Sequence, residues 1–165
     1  MNEFQRDFDW QAGFVPAIKA IVGPHLLDVA PFEIDAKQAT DFLVLKADPM
    51  YIACRLRRPK HFDKYRGQFT IRSFRPSGAE TEFAKIQAGF ADWMLYGYGA
   101  ANDCRVFGWM LIDLDVFRRE IAQPWPGPGK IEWGEKPNLD GTRFYWYEAK
   151  TFPRAMIIAS GGGVS

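Results

Sequence analysis

The sequence predicts one domain of the α/β or α+β class, a mixed sheet built from hairpins and flanked by helices. Three observations predict it. Apolar residues recur at helical spacing near 8–22 and 79–89. Strand-like apolar runs and alternations fill 41–58, 67–75, 93–114 and 142–159. Turn chemistry separates them, at Gly23-Pro24, Asp48-Pro49, Pro76-Ser77-Gly78 and Asp140-Gly141. Strands that follow one another without intervening helices argue against a doubly wound parallel sheet. The chain has 165 residues, 47% of them hydrophobic, which suits one core. The domain is expected over 1–160, with the glycine-rich 161–165 as a loose tail.

The elements follow in order. Asp7 or Asp9 caps a first helix over 8–22, with Trp10, Phe14, Ile18 and Ile21 on one face and Pro16 as a point of split or kink. Gly23-Pro24 ends it, and 26–32 is a short strand. Residues 41–47 form a strand that returns through Asp48-Pro49 into 50–58. In that return strand Tyr51, Ala53, Arg55 and Arg57 share one face, and Ile52, Cys54 and Leu56 the other. A strand over 67–75 precedes the helix near 79–89, which buries Phe83, Ile86 and Phe90 and stops at Gly89. Strands at 93–99 and 105–114 lead to a short helix capped by Asp115. A Pro/Gly-rich loop spans 123–130, and late strands cover 142–150 and 154–159. Trp93 and Trp109 belong to the core, while Trp125 and Trp133 flank the loop.

Several function classes lose support. Cys54 and Cys104 stand far apart without a CxxC pattern, and read as small buried hydrophobes rather than a disulfide or zinc pair. His25 and His61 fit no metal motif. No apolar run is long enough for a membrane helix, and MNEFQRDFDW lacks the basic start and apolar stretch of a signal peptide. A cytoplasmic protein without a membrane partner is expected. No GxGxxG follows a strand, and neither a P-loop nor GxSxG occurs.

Charge is unevenly spread. Residues 1–54 carry 4 Lys/Arg against 8 Asp/Glu, 55–75 carry 8 against 1, and 76–165 carry 9 against 11. The basic block, RLRRPKHFDKYRGQFTIRSFR, interleaves Phe62, Tyr65, Phe69 and Phe74 with its cations. Such a block suits a phosphate-facing surface, with Arg57, Arg58, Lys60, Lys64, Arg66 and Arg72 as the contacts. It also suits docking on an acidic protein, or a solvated strand face.

The segment ATDFLVL…MYIACRLRR resembles the PD-(D/E)XK, or restriction-endonuclease-like, nucleases in element order and in Asp41 at the start of a strand. The resemblance implies an αβββαβ core and an Mg²⁺-dependent phosphodiester nuclease. Asp41 would hold the metal, with Glu33 or Asp35 as a further acid. The family's D/E-x-K falls here on Ala53-Cys54-Arg55. Glu82, on the second helix, is the candidate for the missing carboxylate, so the metal set reads Asp41, Glu33 and Glu82. Arg55 and Lys85 would stabilise charge in the reaction. Asp140, Glu148 and Lys150 match D-x7-E-x-K literally, but read as a hairpin turn and an exposed strand end.

Phrases such as TDFLVL, TIRS, TEFAKI and WMLIDLD look like those of uncharacterised tailed-phage and prophage proteins. The leading expectation is therefore a nucleic-acid-binding protein of phage type, in its enzymatic form a divergent nuclease. The alternatives are a non-enzymatic inhibitor of a host defence complex (anti-CRISPR or anti-restriction) and an oligomeric assembly component.

Overall fold

The computed structural model describes residues 10, 12–29, 42–44, 49–100, 104–122 and 131–164, with side chains left aside at 27–29 and 42–44. Its helices are α1 (Val15–Val22), α2 (Phe62–Tyr65), α3 (Glu82–Gln87) and α4 (Leu114–Ala122). Its strands are β1 (Leu27–Val29), β2 (Phe42–Val44), β3 (Ile52–Arg57), β4 (Gln68–Phe74), β5 (Trp93–Ala100), β6 (Arg105–Asp113), β7 (Trp133–Pro137), β8 (Arg143–Glu148) and β9 (Ile157–Gly161). The fold is α+β, with one mixed and two antiparallel sheets.

Strand β5 organises the molecule. Side chains alternate across a strand, and both faces of β5 are covered. Met94, Tyr96 and Tyr98 enter an aromatic core shared with Phe69, Ile71, Phe117 and Tyr147. On the opposite face Leu95 meets Leu111 and Val22 of α1. Burial on both sides explains why WMLYGYGA reads as a continuous apolar run. The four-stranded sheet runs β3-β5-β6-β9, and the three-stranded sheet runs β4-β8-β7. The aromatic core lies between them. Helix α3 lies along β4, with Ile86 buried and the Phe83 ring edge-on to Tyr145 at 5.0 Å.

Helix boundaries follow local chemistry. Thr81 Oγ1 accepts the Ala84 N–H at 3.1 Å and caps α3. The helix stops as expected at Gly89, whose φ of +82° suits glycine. Gly89 N–H donates to Ile86 and Phe90 N–H to Lys85, which closes the exposed carbonyls. The Asp140-Gly141 signal also holds, since Gly141 (φ +79°) turns β7 into β8.

Several expectations need correction. The strand at 42–44 pairs antiparallel with β1, and β3 pairs parallel with β5, so the 41–58 hairpin does not form. Pro16 stands in the first turn of α1, just after a turn at 13–14, where its missing N–H costs no helix bond, so it splits the expected 8–22 helix rather than kinking it. Asp7 and Asp9 lie outside the described residues. Helix α4 is capped by Asp113, whose Oδ1 accepts the N–H groups of Asp115 and Val116 at 2.8 and 3.0 Å. Phe90, expected in the core, is 64% exposed. Cys104 is exposed at φ 51° in the β5–β6 turn, whereas Cys54 is half-buried and its burial pushes the thiol pKa up. The glycine-rich end is anchored: β9 reaches Gly161, and Val164 is only 3% exposed. Among the described residues no helix is long and apolar enough to cross a membrane.

Candidate functional site

Strand β3 forms one edge of the four-stranded sheet, and β4 one edge of the three-stranded sheet. The face of β3 that carries Ala53 into the core also carries Arg55 and Arg57. Alternation therefore aims two guanidinium groups at the gap between the sheets instead of at open water. Strand β4 brings Arg72 to the same gap, and the chain beyond it brings Arg75. Arg58 and Lys60 follow directly after β3. Together these six cations line a cleft of about 620 Å³, with Trp10, His61, Asn138 and Phe144 among its other walls. Glu82 is the one acidic residue among the described residues that line it.

Bonds of unequal strength tie the cleft's described residues. Arg55 Nη1 meets Glu82 Oε2 at 2.7 Å, and both side chains are about a quarter exposed, at 24% and 23%. The same carboxylate oxygen accepts the backbone N–H of Arg72 at 3.1 Å, which ties α3 to β4. Charge-assisted bonds of this kind are the stronger ones. The remaining cations have weaker partners. Arg57 Nη1 lies 3.4 Å from both Thr70 Oγ1 and Tyr96 Oη, at the long limit of a hydrogen bond. The Arg58 guanidinium sits 4.9 Å over the Trp10 ring. Among the described residues Arg75 Nε and Trp10 Nε1 are buried with no hydrogen-bond partner. A buried donor with no partner is costly.

The field of the cleft acts on its own groups. Burial, then the charges of Arg55 and Arg75, lowers the Arg72 pKa, while Glu82 and Asp140 oppose the shift. Arg72 stays a cation at neutral pH regardless. Burial, then Arg57 and Lys60, lowers the His61 pKa. Like charges this close repel unless a counter-charge enters. A groove lined by one sign of charge concentrates ions of the opposite sign. Such a lining favours anions over cations.

The predicted site residues divide. Arg57, Arg58, Lys60 and Arg72 line the cleft, and Arg55 and Glu82 meet within it. Lys64 and Arg66 are exposed and take no part in the cleft lining; Lys64 Nζ rests 5.2 Å from the Tyr65 ring. Lys85 is exposed and borders a separate cleft of about 370 Å³ beside Glu82. Asp41, Glu33 and Asp35 lie outside the described residues, as does Trp125. Trp133 is 43% exposed on β7. Asp140 and Glu148 fall at opposite ends of β8: Asp140 accepts from Thr142 in the turn, and Glu148 accepts from Gln68 Nε2 at 3.1 Å. The literal D-x7-E-x-K match therefore builds no shared site. Arg75, Trp10, Asn138 and Phe144 were not among the candidates. For Arg75 the signal was present, three residues beyond Arg72 in the basic block.

An Mg²⁺ site does not fit the described residues. No cluster of three or more His, Cys, Asp or Glu occurs among them. The cleft's carboxylate is already engaged by Arg55 and the Arg72 amide, and the surrounding cations repel a divalent ion.

No protein-family model, no curated protein and no solved structure matches the chain.

Proposed function

We propose that this protein binds nucleic acid, gripping the phosphate backbone in the cleft between its two larger sheets. One observation carries the reading. Six cations from both sheets converge on one groove, with a single acid among the described residues that line it. Arginine suits the role because its planar fork pairs with two phosphate oxygens at once. Phosphate contacts fix position without reading sequence, so the cleft by itself confers affinity rather than sequence choice.

Salt titration tests this. Binding of a labelled oligonucleotide is followed by fluorescence anisotropy from 50 to 200 mM salt. Each neutralised phosphate steepens the log K against log salt slope by about 0.9 for duplex or 0.7 for single strand. With about four phosphates engaged, affinity falls by roughly two orders of magnitude over that range. Absent binding at 50 mM, or a slope near zero, overturns the proposal.

Glu82→Gln gives a signed prediction. The substitution removes the cleft's negative charge and leaves an acceptor for Arg55 and the Arg72 amide. Affinity is expected to rise by a few-fold at low salt, the scale of about 1 kcal/mol for a partly solvated charge. Stability is expected to fall by about 1–2 kcal/mol, read by urea unfolding, as a charged bond becomes neutral. A loss of affinity would instead mark Glu82 as a group that touches the ligand.

A further inference from the structure

The cleft does not end at its arginines. Past Arg57, His61 and Phe144, which line both spaces, lies a smaller pocket of about 110 Å³. Its walls are aromatic on several sides, from Tyr65, Phe144, Trp146 and the hydroxyl end of Tyr96. Gln68 and Thr70 add hydrogen-bonding groups. Thr70 is 4% exposed, and its Oγ1 lies 3.4 Å from Tyr96 Oη and from Arg57 Nη1. A carboxamide and a hydroxyl among rings is the chemistry that recognises a nucleobase: flat faces for stacking, and donors and acceptors for its polar edge. The volume holds on the order of four waters. That matches a single ring with its substituents and is well short of a base pair.

We infer that cleft and pocket together take single-stranded nucleic acid, with phosphates on the cleft arginines and one unpaired base in the pocket. This rests on the nucleic-acid reading above and adds strandedness to it. Arg57 stands at the junction, where a phosphate would enter from one side and its own base lie on the other. A duplex offers no free base without unstacking and unpairing one, which costs free energy that a single strand does not spend. Stacking on aromatic walls reads no particular base edge, so among the single-ring bases the pocket admits the preference is for strand type more than for sequence.

The test compares three probes at equal salt: a labelled 20-mer single strand, the same strand annealed to its complement, and a strand of equal length with abasic sites throughout. The single strand is expected to bind about tenfold or more tightly than the other two, the scale of one base stacked on aromatic side chains. Trp146→Ala is expected to abolish that preference, and Gln68→Ala to reduce it, while the salt slope stays. Circular dichroism melts of both variants establish that they fold, and Gln68→Ala, at the mouth of β4, is the safer of the two. Quenching of Trp146 emission by the single strand, absent in Trp146→Phe, places the base. Equal binding of all three probes overturns the pocket assignment and leaves the phosphate reading standing. Absence of salt-sensitive binding to every probe overturns both.

Discussion

Phe69→Ala is expected to lower the unfolding free energy by about 3–5 kcal/mol, a large part of the ~5–15 kcal/mol that holds a domain together. Phe69 is 0% exposed and is the hub of the aromatic core. Its ring stacks on Tyr147 at 5.2 Å and meets Phe117 at 5.7 Å, Phe152 at 5.9 Å and Tyr96 at 6.4 Å. These neighbours come from β8, α4, the turn before β9, and β5. One ring therefore joins both sheets and the helix that covers their end. Truncation removes the buried area and leaves a cavity whose rigid aromatic walls cannot collapse. Urea unfolding reads the effect as a lower midpoint at unchanged slope. Phe90→Ala, at a 64% exposed ring, is the control and is expected to change stability by less than about 0.5 kcal/mol. A loss below about 1 kcal/mol in Phe69→Ala would mean that the two sheets do not depend on this contact.

Local chemistry made much of this fold legible. The two faces of β3 were readable because alternation is a property of the strand itself, and Ala53, Arg55 and Arg57 do share one side. The end of α3 was readable because Gly89 supplies a conformation few other residues adopt. Pairing partners were less accessible. The chain leaves β3 through α2, β4 and α3 before β5 returns beside it in parallel, so the neighbour is fixed by burial of both faces of β5 and not by any adjacent turn. Strand β7 escaped notice altogether. WGEKP is an edge strand with mostly exposed side chains and a terminal proline, so it lacks the β-branched alternation that marks a strand. Its place comes from the Asp140-Gly141 turn and from Trp133 packing against Tyr145 at 5.6 Å.

The site was partly legible for the same reason. A basic block is visible in any sequence, but which of its members converge depends on how two sheets stack. Residues 57, 58 and 60 from one sheet edge meet 72 and 75 from the other, whereas Lys64 and Arg66 stand apart although they lie between them in sequence. Trp10, Asn138 and Phe144 enter from segments with no basic character at all. Glu82 reads in the sequence as a metal carboxylate beside Asp41; the ion pair it forms with Arg55, with a backbone tie to β4, depends on the register between α3 and β4.

That separation between neighbours in sequence and neighbours in space gives the sharpest functional prediction. The double variant Arg58→Glu/Lys60→Glu changes the net charge by four at the mouth of the cleft. Lys64→Glu/Arg66→Glu makes the same change a few residues away and outside it. All four side chains are exposed, so neither variant disturbs the core. If the cleft holds the phosphates, the first variant loses two contacts and sets two anions against the backbone. Its affinity at 100 mM salt is expected to drop by about a hundredfold or more, and its salt slope to shrink by about 2 or more. The second variant loses only long-range attraction, which the ~10 Å screening length at that salt largely removes, and is expected to weaken binding by less than about tenfold. Anisotropy titrations of both variants and the unaltered protein at two salt concentrations measure the difference. Equal losses in the two variants would assign affinity to the overall charge of the 55–75 block and take the cleft out of the argument.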